Sequence, residues 1–264
     1  MKTLKKYLRK QKSTINLLLQ KPQQSFTPKT FHALRVEIKK LHALFDLVNY
    51  CHKEFKQKKT FKPFKLIFRQ AGKVRELQVE ESLLKEHFTF NLLKEYRNHL
   101  DKELIKKLEN FFSITNSELY PILKKKYHKI IPLLAKTSKK RTLRYMDKKR
   151  AKIEKLLRQN TLKNKQIHIL RKRLKEFQYN AKSLNYNNHN PLILNKDIIP
   201  ELLGGWHDYQ ITINHLKKVI DSGKINSNEN NQLENIKAAF TLKRELLFNK
   251  INTTLHNQSI FGNI

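Results

Sequence analysis

Two segments of the chain carry histidine, arginine and lysine in the same order and at the same spacing. The first is FHALRVEIKKLHALFDLV, residues 31–48, and the second is IHILRKRLKEFQYNAKSL, residues 167–184. In each segment arginine follows histidine by three residues and lysine follows arginine by four, so on a helix all three share one face. A row of like charges destabilises an isolated helix, and an anion that bridges the row removes this cost. Arginine suits such an anion because its guanidinium can hold two phosphate oxygens at once.

The overall charge indicates the same kind of ligand. The chain has 264 residues, with 56 Lys and Arg against 22 Asp and Glu, and a formal net charge of +34. Positive charge in this excess repels itself in a folded chain, and a polyanionic partner is the usual reason for it. Nucleic acid, an anionic membrane surface and another phosphate polymer all fit the charge, and composition alone does not choose among them.

The sequence lacks the residues that hydrolysis of a phosphoanhydride would need. The basic faces carry no carboxylates to hold Mg²⁺, and no glycine-rich phosphate loop ending in Lys-Ser/Thr is present. The eleven histidines show no metal-ligand spacing. Cys51 is the only cysteine, which excludes an intramolecular disulfide and a cysteine-based zinc site. We therefore expect a binding protein rather than an enzyme, with no metal and no cofactor.

Long helices must position the basic side chains. The chain has only five glycines and seven prolines, and its Leu, Lys, Glu and Ile residues recur at three- and four-residue spacing. We expect an all-α protein with about ten helices. Thr27 is predicted to be the N-cap of a helix that starts at Pro28, and Asn91 the N-cap of a later helix. Gly72 and the pair Gly204-Gly205 are predicted to break helices and start new ones.

The chain also looks duplicated. Each of the two quoted helices has six apolar residues at the same offsets: Phe31, Leu34, Ile38, Leu41, Phe45 and Val48 in the first, and Ile167, Leu170, Leu174, Phe177, Ala181 and Leu184 in the second. Downstream, AGKVRELQV at 71–79 resembles LGGWHDYQI at 203–211. We expect a single domain over 1–264 built from two repeats, 1–135 and 136–264, that form helical bundles related by a pseudo-two-fold.

Together these motifs resemble the CHAD family, the conserved histidine α-helical domain. The His-x-x-Arg-x-x-x-Lys pattern and the Gly-x-x-(Arg/His)-(Glu/Asp) stretch occur in both halves and in the family's order. The resemblance implies two helical bundles around a basic central channel that binds inorganic polyphosphate without hydrolysing it. The residues that the resemblance places in the channel are His32, Arg35, Lys39 and Lys40 in the first half, and His168, Arg171, Lys172, Lys175 and Tyr179 in the second.

Further basic residues extend this predicted site. His42 shares the basic face of the first helix, and Arg69 and Lys73, one turn apart, could lengthen the groove. Lys40 and Lys172 lie further round their helices, where the pattern allows either the channel or solvent.

Two acids follow the glycines and have two possible structural roles. As residues that follow a glycine break, Glu76 and Asp208 are predicted to be first-turn acids that complement the helix dipole. The resemblance to the CHAD family implies a second role, in which each acid orients Arg35 or Arg171 from behind. Both roles are compatible, and we include the two acids as orienting residues.

The main alternative is an RNA- or DNA-binding helical protein that uses a diffuse basic surface. Against it, the aromatic residues fall mostly on core stripes and not between basic residues, where bases could stack. The basic N-terminal stretch has too short an apolar run for a signal peptide, and no window has the length of a membrane span. We therefore expect a cytoplasmic protein, and the resemblance adds polyphosphate granules as a place for it to associate.

Overall fold

The structure, a computed structural model, describes residues 2–86, 91–186 and 198–261, with side chains as far as residue 256. The regular structure within these ranges is entirely helical, which confirms the all-α prediction. The helices are α1 (Lys2–Leu19), a short 3-10 turn (Gln23–Ser25), α2 (Pro28–Cys51), α3 (Gln57–Lys85), α4 (Lys94–Ile114), α5 (Leu119–Lys136), α6 (Lys139–Leu157), α7 (Asn164–Leu184), α8 (Ile198–Asp221) and α9 (Ser227–Phe261). In the part of the chain that is described, no helix is both long and apolar enough to cross a membrane.

The helix α2 forms as its sequence predicts. Thr27 is its N-cap, with an extended backbone and a side-chain oxygen that accepts the N–H of Thr30 at 3.3 Å, and Pro28 occupies the first helical position. The six apolar residues of its stripe, Phe31 to Val48, are each at most 1% exposed. Burial of this stripe fixes the orientation of α2, and with it the direction of the basic face that carries His32 and Arg35.

The predicted helix breaks at the glycines are wrong. Gly72 lies inside α3, and the pair Gly204-Gly205 lies inside α8. A glycine in a helix interior costs only about 1 kcal/mol relative to alanine, which packing of a long amphipathic helix readily outweighs. Glu76 and Asp208 are consequently interior residues of α3 and α8, so the interpretation of them as first-turn acids is wrong too.

The described residues divide into two compact units. The first unit comprises those within Met1–Arg75, Leu108–Lys155 and Lys172–Asn188, and the second those within Glu76–Lys107, Leu156–Arg171 and His189–Ile264. Each unit takes several segments of the chain, so neither coincides with 1–135 or 136–264. The division into two sequence repeats stays a prediction.

Aromatic residues hold the first unit together. The ring of Phe31 on α2 lies 5.0 Å from that of Phe111 on α4, and the ring of Phe45 lies 5.6 Å from that of Phe61 on α3. These edge-on contacts between fully or largely buried rings are a geometry that aromatic pairs prefer. They join α2, which carries the first basic motif, to α3 and α4.

The second unit contains a reciprocal cap between two helix N-termini. The buried carboxylate of Glu229 on α9 accepts the backbone N–H groups of Glu95 and Tyr96 on α4, at 3.0 and 2.9 Å. In return the carboxylate of Glu95 accepts the N–H of Asn226 before α9, at 2.8 Å. Because α4 begins at Lys94 and is capped from α9, the prediction that Asn91 is its N-cap is wrong.

Candidate anion-binding site

The guanidinium of Arg35 lies against one turn of α3. Its Nη1 donates a hydrogen bond to the backbone carbonyl of Phe68 at 3.0 Å, and its central carbon lies 4.4 Å from the centroid of the Phe68 ring. Gly72 makes this approach possible, since a Cβ at that position would lie 2.1 Å from Nη1. A carbonyl, an aromatic ring and a glycine thus hold Arg35 in one position.

Several cations lie near His32. We call the group formed by His32, Arg35, Lys39, Arg75 and Lys175 the His32 cluster. Lys39, one turn after Arg35 on α2, has its Nζ 5.8 Å from the same Phe68 ring. Partial burial of its ring lowers the pKa of His32, and nearby positive charges lower it further. The residues that carry these charges are, in decreasing order of effect, Arg75, Lys39, Lys175 and Arg35.

The His32 cluster concentrates positive charge. Four permanent cations from α2, α3 and α7 lie close enough to one imidazole to disfavour a fifth positive charge. A ligand with several negative charges would offset this repulsion, whereas a single small anion would neutralise only part of it. The arrangement is therefore chemically suited to a polyanion.

Sequence reasoning omitted Arg75, a member of this cluster, and Phe68, whose ring lies beside Arg35 and Lys39. Arg75 is the arginine of the Gly-x-x-Arg-Glu stretch, and residues 68, 72 and 75 are spaced so that they share one face of α3. The helical spacing from Gly72 therefore held a signal for both residues. It was obscured by the expectation that α3 breaks at the glycine.

The second unit brings together the positions that correspond to His32 and Arg75. The ring centroids of His168 on α7 and His207 on α8 lie 5.5 Å apart. His207 aligns with Arg75 in the repeated stretch, so the same pair of motif positions meets in each half of the chain. The glycines differ, however, because a Cβ at Gly204 would have nothing within 4 Å. Arg171, the counterpart of Arg35, is half-buried.

His42 contacts Asp46 and lies near a second acid, Glu176. Its Nδ1 lies 3.3 Å from a carboxylate oxygen of Asp46, and burial lowers the pKa of His42. Burial, together with the charge of Glu176, raises the pKa of Asp46 to about 7. Glu176 accepts a hydrogen bond from the hydroxyl of Tyr145 at 3.0 Å and pairs with Lys149. These contacts tie α2 to α6 and α7 within the first unit.

The other predicted site residues have varied surroundings. Lys40 pairs with Glu37 on its own helix, Arg69, Lys73, Lys172 and Glu76 are exposed, and Tyr179 and Asp208 are half-buried. Their roles in binding stay predictions. Among the side chains that the structure describes, no group of three or more His, Cys, Asp or Glu could hold a metal ion.

Comparisons with known proteins agree with the resemblance seen in the sequence. A family model of the CHAD domain matches residues 7–217. The crystal structure of the CHAD domain from the plant Ricinus communis superposes with a TM-score of 0.73 at 14% identity, covering 96% of this chain and 89% of that one. No curated protein matches by sequence. The CHAD family model matches most of this chain, and the fold is that of the CHAD domain in the crystal structure. The chain therefore belongs to the CHAD family.

Proposed function

We propose that the protein binds inorganic polyphosphate through the His32 cluster and does not hydrolyse it. The observation that carries this proposal is the convergence of Arg35, Lys39, Arg75 and Lys175 on His32. Membership of the CHAD family supports it, because this family is associated with polyphosphate binding. By the same resemblance, His168 and Arg171 of the second unit also bind phosphate groups.

The surroundings of Phe68 favour polyphosphate over nucleic acid. A phosphate polymer has no bases, so its binding site needs cations in a row and no stacking platform. Single-stranded nucleic acids are usually bound with their bases stacked on aromatic rings. The Phe68 ring instead lies beside two cations of the His32 cluster, Arg35 at 4.4 Å and Lys39 at 5.8 Å from its centroid.

Absence of turnover is part of the proposal. Hydrolysis of a phosphoanhydride normally needs carboxylates to hold Mg²⁺. Asp46 and Glu176, the acids further along α2 and α7, are engaged instead by Gln57, Lys149 and Tyr145. We expect no release of phosphate from polyphosphate with Mg²⁺ present, and release above a protein-free control would contradict this part of the proposal.

A competition titration tests the proposal. Long-chain polyphosphate would be titrated into the protein at about 0.15 M salt, with and without RNA of matched total charge. The same titration would be made with the Arg35→Ala/Arg171→Ala variant. The matched control is Arg9→Ala/Arg158→Ala, which removes two exposed arginines and the same formal charge.

The expected result is tight binding of polyphosphate that persists in excess RNA, is lost in the Arg35/Arg171 variant and is kept in the control. Equal affinity for both polymers, or equal losses in the two variants, would mean that binding depends on diffuse surface charge. Such a result would favour the RNA- or DNA-binding alternative. In cells, the proposal locates the protein on polyphosphate granules in the cytoplasm, which a fluorescent fusion protein would test.

A further inference from the structure

We propose that Gly72 is a positioning residue for polyanion binding: its missing side chain, with the ring and carbonyl of Phe68, forms a seat that holds Arg35 ready for a phosphate group. This inference rests on the proposed function, because it assigns a role within the same site. It adds a residue that does not touch the ligand itself.

The contacts of Gly72 define the seat. A Cβ at Gly72 would lie 2.1 Å from Nη1 of Arg35 and 3.2 Å from its central guanidinium carbon. Contacts below 3.0 Å essentially never occur for real Cβ atoms, so the arginine would have to move. The three atoms nearest to that Cβ outside α3 itself all belong to the guanidinium of Arg35, the flexible end of its side chain. Alanine at this position would therefore displace one flexible side chain and leave α3 intact.

The position of Gly72 in its helix also needs an explanation. Glycine in a helix interior is less favourable than alanine because it loses more backbone freedom on folding. Gly72 is fully buried in the middle of α3, with regular helix on both sides. Its close approach to the guanidinium accounts for a glycine there.

A seated arginine binds an anion better than a mobile one. A long side chain that is immobilised on binding loses rotamer freedom, and this loss weakens the complex. The hydrogen bond to the Phe68 carbonyl and the adjacent ring fix the guanidinium before any ligand arrives. Gly72 thus acts on affinity through the position of Arg35.

Gly204 provides a matched control within the same chain. It occupies the corresponding place in the repeated stretch and lies in the interior of α8. A Cβ there would have nothing within 4 Å. Alanine at Gly204 changes helix propensity as alanine at Gly72 does, but displaces no arginine.

The experiment measures polyphosphate affinity, its salt dependence and thermal unfolding in five variants: Gly72→Ala, Gly204→Ala, Arg35→Ala, Gly72→Ala/Arg35→Ala and Phe68→Leu. Loss of one charge-assisted contact corresponds to roughly tenfold in affinity. We expect Gly72→Ala to lose about as much affinity as Arg35→Ala and to lower the salt slope by about one phosphate contact. Gly204→Ala should bind like the unmodified protein.

The double variant separates positioning from general damage to the fold. If Gly72 acts through Arg35, adding Gly72→Ala to Arg35→Ala should cost no further affinity. Because alanine is the better helix former, Gly72→Ala and Gly204→Ala should unfold at a temperature no lower than that of the unmodified protein. Phe68→Leu, which removes the ring and keeps the carbonyl, should give a smaller loss than Arg35→Ala.

Three outcomes would contradict the proposals, and they distinguish the role of Gly72 from polyphosphate binding itself. Gly72→Ala binding like the unmodified protein while Arg35→Ala binds weakly would overturn the seat and leave the proposed function standing. A further loss from Gly72→Ala in the Arg35→Ala background would also overturn the seat, since the effect would not pass through the arginine. No loss in Arg35→Ala itself would refute the proposed function at this cluster.

Discussion

Polyphosphate binding should be coupled to protonation of His32. In the free protein, burial and the charges of Arg75, Lys39, Lys175 and Arg35 lower the pKa of His32. A bound polyanion offsets those four charges and raises the pKa again. Because the bound state then prefers the charged imidazole, affinity must increase as the pH falls.

The pH dependence of polyphosphate affinity is limited in size because the His32 cluster contains one imidazole. A single group takes up at most one proton, so the logarithm of the affinity changes by at most about one per pH unit. The gain is absent above the pKa of the bound state and complete below the pKa of the free state. Each unit between these two pKa values corresponds to tenfold in affinity. Since the surface of His32 is exposed, solvent screening reduces the effect, and we expect less than tenfold.

Calorimetry in two buffers of different ionisation enthalpy measures the uptake of protons directly. Titrations with polyphosphate near pH 6.5 would compare the unmodified protein with His32→Gln and with His128→Gln, whose parent histidine is exposed on α5. We expect a smaller uptake in His32→Gln and an unchanged uptake in His128→Gln. Equal uptake in all three proteins would refute the reasoning, because protons taken up by other histidines would be common to them.

Three further predictions concern stability. Glu229→Ala should lower the free energy of unfolding by about 1–3 kcal/mol, because it removes a buried carboxylate that caps α4. Denaturant unfolding measures this change, and an unchanged midpoint would contradict the reciprocal cap. Because burial and Glu176 raise the pKa of Asp46 from 3.8 to about 7, folding favours its protonated form, and stability should fall as the pH rises from about 4 to about 7. Asp46→Asn should flatten this fall, which thermal unfolding across that range would show. Burial alone would lower the pKa of His215, but the carboxylates of Glu80 and Glu103 raise it overall. The contribution of His215 to stability is therefore complete below pH 6.5 and is lost as the pH rises through the raised pKa. His215→Gln should abolish that loss, which thermal unfolding over the same pH series would show.

Local signals along the sequence were sufficient for α2. Thr27 and Pro28 lie next to each other at its start, and the apolar stripe from Phe31 to Val48 follows the period of a helix. Both features act within a few residues, so their consequences can be derived without knowing the fold. The same holds for the basic face that the stripe positions.

Features that depend on distant residues could not be derived in this way. Glu229 caps α4 from more than a hundred residues away, and no short-range pattern around Asn91 reveals it. Gly72 looks like a helix break because glycine is a poor helix former, and only the position of Arg35 explains why it remains in the helix. Arg75 joins the cluster because α3 continues through that glycine.

A crystal structure of the protein with a linear polyphosphate bound would show directly whether the His32 cluster is the binding site. We expect phosphate oxygens within about 3 Å of the guanidinium of Arg35 and the ammonium groups of Lys39 and Lys175. We also expect Arg35 to keep its hydrogen bond to the Phe68 carbonyl in the complex. Phosphate bound only along exposed lysines of other helices, with the His32 cluster unoccupied, would refute binding at this cluster.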